Sequence, residues 1–418
     1  MSPEPLVVGL NARLEGGKAG GIEQYIAGVA HGLSGLDGPE RYLFLTHPLH
    51  QDWLKPFLGG QCASLPDGTL GGTPLGRRRL AAWMPARLKA ALKRVLPVTV
   101  PHSHGVLESA GAEVIHFPSQ DGFLTDRPTL YQCHDLQHRY YPDFFSAQEL
   151  RWRDTTYGVL GRAAGVTLSM TRYGARDLVG LLGLDPAKVA VVPGGSILSA
   201  YAAQQSADPL ELRRRLGLPP RFLLYPAQTW PHKNHAKLAQ ALGLLRKQGL
   251  EIPVLCTGRR NESFGALQES VRAAGAADLM LFPGYLDGPA LKALYGMADG
   301  MVFPSLFEGW GLPVTEAFEA GLPVACANAT ALPEQVAGAA LLFDPRDPAS
   351  IGGAMRRLWE DPEERRRLAA LGRLRVERLT WDRSARILRA WYRKLARRKL
   401  DRTDQDLVRE SLDPSQSF

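Results

Sequence analysis

The stretch from Gly300 to Ala325 places a strand, a glycine-bearing loop and a helix in direct succession. The apolar run 300–303 predicts a short buried strand, and Pro313 is a residue that opens helices, where its missing N–H costs nothing. Gly309 and Gly311 lie between them and let the backbone approach a bound molecule closely. This geometry offers backbone N–H groups to a phosphate, so the segment predicts an α/β domain with an anion site at a strand end.

Two carboxylates, Glu308 and Glu316, flank this loop and lie eight residues apart. A carboxylate only accepts hydrogen bonds, so it suits the hydroxyl groups of a sugar or a ribose. A phosphate loop between two such acids describes a nucleotide-sugar site. The same acids also match the dipole of a plain helix, and spacing alone favours that second interpretation.

Length and composition bound the remaining choices. The 418 residues are enough for two or three domains, and a hydrophobic content of 45% excludes global disorder. The apolar run near the N-terminus predicts a first strand rather than a signal peptide, and no apolar run reaches the ~18 residues of a membrane span. The four cysteines lack metal or redox spacing, which predicts a reducing cytoplasm.

The formal net charge of +8 is unevenly spread, with basic residues concentrated in segments 76–96 and 383–402. Such patches favour anionic partners or an anionic membrane surface. Segment 76–96 carries apolar residues at helical spacing between its basic ones. It predicts either a surface helix that packs its apolar stripe on the sheet, or a segment that rests on an anionic membrane or an acidic acceptor.

The first half of the chain contains candidate residues at two predicted strand ends. Gly20 and Gly21 follow the first strand, and His134 and Asp135 follow the strand predicted at residues 129–133. Parallel α/β sheets bind ligands at the carboxyl ends of their strands. Position alone makes these residues candidates and does not decide their roles, since a lone histidine is more often structural than catalytic.

A lysine in the second half of the chain is the candidate diphosphate ligand. Lys233 lies just before a helix predicted to begin near Asn234, a residue type favoured at helix starts. A cation there could bind a diphosphate beside helix N–H groups, although an exposed lysine is more often only a solvated charge.

These segments resemble the retaining GT-B glycosyltransferases of the large family 4, or "glycosyl transferases group 1" type, which includes bacterial mannosyltransferases. The resemblance covers about residues 5–395. It is carried by the segments GGIEQY, HDLQHRYYPDFFS, QTWPHKNHAKL, FPSLFEGWGLPVTEAFEAGLPVA and ALPEQVAGAALLFDPRDP.

The resemblance implies an α/β fold of two Rossmann-like domains that face each other across a cleft. The implied divisions are an acceptor-binding domain at 1–197, a nucleotide-sugar-binding domain at 198–380, and a helix that crosses back to the first domain at 381–400. The polar composition of residues 401–418 predicts a disordered tail.

The resemblance also implies individual roles. Glu308 contacts the donor sugar, Glu316 holds the ribose, and Lys233 neutralises the leaving diphosphate. The implied catalytic residues are His134, Lys233 and Glu308. Asp135 is taken as the residue that orients His134. The implied donor-binding residues are Gly20, Gly21, Lys233, Arg259, Tyr285, Leu286, Gly309, Trp310, Gly311, Leu312 and Glu316. His138 is interpreted as structural.

One position departs from the family pattern. Gln228 stands five residues before Lys233, where the family has an arginine. His232 and Arg259 are both candidates to supply the missing charge, and the sequence does not decide between them.

The implied activity is a hexosyltransferase (EC 2.4) that acts with retention. It would move a hexose from a nucleotide-diphosphate sugar, with GDP-mannose favoured, to a glycan or lipid-linked glycan acceptor in polysaccharide assembly. No DxD motif occurs, so no metal or other cofactor is required, and nucleic acid is not an expected partner. The expected location is cytoplasmic, with peripheral contact at the inner face of the membrane.

Three alternatives stay open beside this activity. The first is a nucleotide-sugar 2-epimerase or hydrolase, which shares the two-domain architecture. The second is a non-catalytic carbohydrate-binding protein descended from a transferase, which the departure at Gln228 leaves open. A Rossmann dehydrogenase is disfavoured because no predicted strand is followed by GxGxxG.

Overall fold

The computed structural model describes residues 5–15, 20–71, 97–198, 200 and 207–413. The chain forms two compact units, one made of Met1–Pro193 and Trp381–Ser417 and the other of Gly194–Thr380. The basic segment 76–96 lies outside the described residues, so both interpretations of it stay open.

The first unit is built on a seven-stranded parallel sheet in the order β3-β2-β1-β4-β5-β6-β7. The central strands are buried along their length, as expected of a parallel sheet covered by helices on both faces. The strand order reverses between β1 and β4, the kind of position where open α/β sheets bind ligands. The strands are β1 (Val7–Ala12), β2 (Arg41–Thr46), β3 (Cys62–Pro66), β4 (Val114–Phe117), β5 (Thr129–Gln132), β6 (Val166–Ser169) and β7 (Val189–Val191).

Helices connect these strands, and their starts follow local capping rules. The longest begins with a capping box, in which the Ser146 hydroxyl accepts from the Glu149 N–H and the Glu149 carboxylate accepts from the Ser146 N–H. The helices are α1 (Gly21–Ser34), α2 (Val106–Ser109), α3 (Gln137–Tyr140), α4 (Ala147–Ala163) and α5 (Arg172–Leu182).

The second unit has a six-stranded sheet in the order β10-β9-β8-β11-β12-β13. All of its strand pairs are parallel. Its order reverses between β8 and β11, so the loops after these two strands lie at the switch point. The strands are β8 (Leu223–Pro226), β9 (Val254–Thr257), β10 (Met280–Gly284), β11 (Gly300–Phe303), β12 (Val324–Ala327) and β13 (Leu341–Phe343).

Three helices of this unit begin with the same device, an aspartate cap followed by a proline in the first helical position. Asp208, Asp347 and Asp361 each accept a hydrogen bond from the first turn of their helix. The helices are α6 (Pro209–Leu216), α7 (His235–Lys247), α8 (Phe264–Ala273), α9 (Gly288–Met297), α10 (Leu312–Glu319), α11 (Leu332–Val336), α12 (Pro348–Glu360) and α13 (Pro362–Val376).

The chain then returns to the first unit through α14 (Trp381–Leu395) and α15 (Arg402–Leu412). Helix α14 packs against α1 at Gly28, where a Cβ atom would lie 2.0 Å from the Trp381 ring. The Tyr392 hydroxyl lies 2.7 Å from Nδ1 of the buried His116 on β4. These contacts make α14 part of the core of the first unit.

The prediction of a disordered tail at 401–418 is wrong for the residues that form α15. Asp404 pairs with Arg393 of α14 at 2.8 Å, and it is buried together with Val408 and Ser411. These three positions recur at helical spacing, but two of them are polar. The polar composition on which the prediction relied therefore does not prevent a helix here, because Asp404 and Ser411 are buried with hydrogen-bonding partners.

Within the described residues, no helix combines the length and the hydrophobicity that crossing a bilayer requires.

Candidate functional site

The loops that follow β8 and β11 bring two of the predicted site residues together. Lys233 Nζ donates to Glu308 Oε1 at 2.5 Å, although the residues are 75 apart in the sequence. Their side chains are 18% and 12% exposed. Nζ also lies 5.6 Å from the centre of the Phe303 ring, at the end of β11. The predicted cation and the predicted sugar-binding acid therefore form one partly desolvated pair.

The backbone around Lys233 is fixed by buried hydrogen bonds. The Tyr225 hydroxyl donates to the Lys233 carbonyl at 2.5 Å. Asn234 precedes α7, but its side chain does not cap the helix. With φ at 64°, it instead donates to the carbonyls of Pro304 and Pro345 at 3.0 and 2.7 Å. This amide therefore ties the Lys233 loop to the loop that leads to Glu308.

The Glu308 loop is held by side chains from the segment that follows β12. The Thr330 hydroxyl accepts from the Glu308 N–H at 3.0 Å and donates to the Glu308 carbonyl at 2.9 Å. Gln335 Nε2 donates to the Gly311 carbonyl at 2.9 Å. Gly311 has φ at 130°, and a Cβ atom there would lie 2.7 Å from Gln335 Oε1. Glycine is thus required at 311 by both conformation and space.

Glu316 lies on α10 inside the second unit, with only 1% of its surface exposed. The Tyr295 hydroxyl of α9 donates to Glu316 Oε2 at 2.6 Å. Burial raises the pKa of Glu316 to about 7, the Tyr295 hydrogen bond acts in the opposite direction, and the charge of Glu319 adds to the rise. At neutral pH this carboxyl is therefore divided between its protonated and ionised forms.

The other predicted donor-binding residues of this unit are of two kinds. Trp310 and Leu312 are 4% and 6% exposed, so their side chains belong to the interior of the unit. Only their backbone groups are available to contact a ligand. Tyr285 is 57% exposed, and the Arg259 guanidinium lies 5.4 Å from its ring centre. Leu286 packs partly buried against the core of the unit.

His134 of the first unit follows β5 and is buried against α1. Its Nε2 lies 2.9 Å from the Pro118 carbonyl, and the Tyr25 ring meets it edge-on at 4.9 Å between centres. Because a carbonyl only accepts, Nε2 carries the proton and Nδ1 is an acceptor. Burial lowers the pKa of His134, although the bond to Pro118 acts in the opposite direction. The imidazole is therefore neutral at pH 7.

The prediction that Asp135 orients His134 is wrong. Asp135 Oδ1 accepts from the Gln137 N–H at 3.1 Å, and the Pro118 carbonyl holds the imidazole instead. His138 is buried, and its Nε2 lies 2.8 Å from Asp154 Oδ1. It has the structural role that the sequence indicated.

Gly20 and Gly21 open α1, one helical turn before the tyrosine that contacts His134. Gly20 has φ at 55° and ψ at −122°, a conformation that favours glycine. The predicted glycine pair and His134 thus lie on connected elements of the first unit. Residues 16–19 of the same loop lie outside the described part of the chain.

Among the residues that the structure describes, no group of three or more His, Cys, Asp or Glu side chains is arranged to hold a metal ion. The expectation that no metal is required stays a prediction.

Sequence reasoning missed Tyr295, Thr330 and Gln335. Each acts on a site residue 21 to 24 positions away in the sequence. No local pattern marks such contacts. Only the order of the strands, once known, brings α9 beside α10 and the segment after β12 beside the Glu308 loop.

Two family models match the chain. Residues 19–198 match the model described as "Glycosyltransferase Family 4", and residues 210–375 match "Glycosyl transferases group 1". The two models cover most of both compact units.

Relatives and solved structures agree with this family match. The chain is 27% identical over 251 residues to O-antigen chain mannosyltransferase B of Escherichia coli. This aligned region covers 60% of this chain and 66% of the relative. The chain is 33% identical over 225 residues to D-inositol 3-phosphate glycosyltransferase of Thermomonospora curvata, which covers 50% and 52%. The chain thus spans about half to two thirds of the length of these curated relatives.

A crystal structure of Anabaena Alr3699/HepE in complex with UDP and glucose superposes with a TM-score of 0.68 at 16% identity. The match covers 93% of this chain and all of the other. The two parallel sheets and this likeness confirm the predicted two-domain, Rossmann-like GT-B fold.

Proposed function

The chain belongs to the group 1 glycosyltransferases, and from this we propose that it is a retaining hexosyltransferase. Its substrates would be a nucleotide-diphosphate sugar, with GDP-mannose favoured, and a glycan or lipid-linked glycan acceptor in polysaccharide assembly. The similarity to O-antigen chain mannosyltransferase B of Escherichia coli supports mannose as the transferred sugar. The observation that carries the proposal is the Lys233–Glu308 pair at the switch point of the second sheet, beside the glycine loop that opens α10.

Lys233, the backbone amides of residues 309–312 and Glu308 each have a role in the proposed sugar transfer. The bond between sugar C1 and the leaving diphosphate oxygen breaks, and a bond from C1 to the acceptor oxygen forms on the same face. The acceptor hydroxyl gives its proton to the leaving phosphate oxygen. Lys233 and the backbone amides of residues 309–312 stabilise the charge that develops on the diphosphate. Lys233 exchanges its bond to Glu308 for one to phosphate, which leaves the carboxylate to accept from sugar hydroxyls.

His134 has a binding role rather than a proton-transfer role in this proposal. Its neutral ring presents Nδ1 as an acceptor while Nε2 is held by Pro118. An acceptor nitrogen suits a sugar hydroxyl. The cytoplasmic location and a peripheral contact with the membrane belong to the same proposal.

A thermal-shift panel of GDP-, UDP-, dTDP- and ADP-sugars tests the donor. A ligand that binds the native state at 100 times its Kd stabilises it by about 2.7 kcal/mol. We expect GDP-mannose to give the largest rise in Tm, with transfer to an acceptor in a follow-up assay. Release of free sugar or of an epimer from the donor alone would support the epimerase or hydrolase instead. Binding without turnover on any acceptor would support the non-catalytic alternative.

The substitution Tyr295→Phe is expected to weaken nucleotide binding at pH 7 by about 3- to 10-fold, which corresponds to the net value of a typical hydrogen bond, about 0.5–1.5 kcal/mol. It removes a bond that favours the ionised carboxylate, so the pKa of Glu316 rises further above about 7. In the wild type, affinity should increase as pH rises through 7, because only the ionised Glu316 accepts from both ribose hydroxyls. In the variant this increase should move to higher pH.

Isothermal titration between pH 6 and pH 9 measures this shift. A 2′,3′-dideoxynucleotide is the control, since it cannot donate to Glu316 and should bind with little pH dependence in either protein. An unchanged pH profile in Tyr295→Phe would contradict the assigned role of this pair.

A further inference from the structure

The charges at the Lys233–Glu308 pair leave the proposed donor site short of positive charge. Lys233 and Glu308 lie 2.5 Å apart, so their formal charges cancel until a ligand enters. If the proposed function holds, the ligand carries a diphosphate, which is a multiply charged anion. A second cation near this loop would be needed to bind it firmly.

The sheet register shows where a second cation could stand. Pro226 at the end of β8 pairs with Thr257 at the end of β9, so Gln228 and Arg259 each lie two residues further on in adjacent loops. The Thr229 N–H donates to the Arg259 carbonyl at 3.2 Å, which ties the two loops together. Positions 228 and 259 are therefore neighbours at the same edge of the sheet.

The side chains of Gln228 and Arg259 differ in charge and in the contacts that they make. Gln228 is neutral, and its Oε1 accepts from Trp230 Nε1 at 2.8 Å. Arg259 packs over the exposed ring of Tyr285, 5.4 Å from its centre. In the described part of the chain, Arg259 Nε has no hydrogen-bond partner and its guanidinium forms no ion pair. Its charge is thus held over the Tyr285 ring and is not neutralised there.

We propose that Arg259 is the second cation that binds the donor diphosphate. It would supply the positive charge that the neutral Gln228 at the neighbouring position cannot. The planar guanidinium matches pairs of phosphate oxygens, and its stacking on Tyr285 reduces the freedom that it would lose on binding. His232 is the weaker candidate, because an imidazole carries a charge only when it is protonated whereas a guanidinium is always charged.

Titrations of the full chain with GDP and with GMP test this assignment, and UDP and UMP replace them if the donor panel selects uridine. We expect Arg259→Gln to weaken binding of the diphosphate by about 10- to 100-fold, the range for lost hydrogen bonds to a charged group. Binding of the monophosphate should change much less. The two nucleotides differ only in the β-phosphate. The ratio of their Kd values therefore reports the contact with that phosphate, and an effect on the base contact or on the fold cancels.

The neighbouring arginine is the matched control. The Arg260 guanidinium donates to the Phe282 carbonyl and lies 4.9 Å from the Phe264 ring, so it is engaged by the protein itself. We expect Arg260→Gln to leave the ratio of Kd values unchanged. The double variant Arg259→Gln with Gln228→Arg should recover much of the lost diphosphate affinity, because it returns a guanidinium to the adjacent position.

The outcomes separate this inference from the proposed function. Equal losses of monophosphate and diphosphate affinity in Arg259→Gln, or no loss at all, would overturn the assignment. A double variant that recovers nothing would overturn the equivalence of positions 228 and 259. A wild-type chain that binds none of the nucleotides would contradict the proposed function itself.

Discussion

Lys233→Ala is expected to lower kcat for sugar transfer by about 10³-fold or more. Removal of a single preorganised donor to a developing oxyanion costs about 10²- to 10³-fold. Here the substitution also leaves Glu308 without its partner at 2.5 Å, so an uncompensated carboxylate faces the incoming diphosphate. Glu308→Ala should likewise abolish transfer, because it removes the acceptor for the sugar hydroxyls.

Rates at saturating donor, measured by release of nucleoside diphosphate, check both variants. Circular dichroism should show that both variants remain folded, since the two side chains are partly exposed and lie outside the hydrophobic core of the second unit. Lys247→Ala is the control, because Lys247 is an exposed residue at the last position of α7. Wild-type turnover by Lys233→Ala would contradict the site.

Gly28→Ala is expected to destabilise the first unit by about 3 kcal/mol or more, the upper range for overpacking a core. The added Cβ would lie 2.0 Å from the Trp381 ring, so this buried ring would have to move out of its place between α1 and α14. Trp381→Ala should cost about 3–5 kcal/mol through the cavity that it opens. Because the two residues are in contact, the double variant should cost less than the sum.

Urea unfolding followed by tryptophan fluorescence measures these changes. Gly180→Ala is the matched control, because Gly180 lies within α5 and a Cβ there meets nothing within 4 Å. It should be neutral or stabilising by about 0.5–1 kcal/mol, the difference in helix propensity. Equal effects of Gly28→Ala and Gly180→Ala would show that α14 does not pack on α1 as described.

The sequence predicts the elements of this protein better than the contacts between them. The bounds of β9 and β11 and the position of α10 follow from apolar runs, glycines and a proline, all of which are local signals. Glu308 is predicted from its position in the loop after a strand, and Lys233 from its position just before a helix. Their pairing could not be read from spacing, since it depends on β8 lying beside β11.

The failures have a common physical origin. Asn234 was expected to cap a helix because of its residue type, but two buried carbonyls from distant loops compete for its amide. Helix α15 was missed because Asp404 and Ser411 bury polar groups that Arg393 and Trp391 satisfy. Residue-type preferences describe a chain in solvent, and both positions are decided by partners far along the sequence.

The return of α14 to the first unit has a consequence for biosynthesis. Synthesis runs from the N-terminus, and upstream domains usually fold before downstream ones have emerged. Here α14, whose Trp381 ring packs against Gly28, begins only after the whole of the second unit has been synthesised. During translation the unit that starts first is therefore completed last, and a ribosome that stops before residue 381 releases a chain with an unfilled apolar surface.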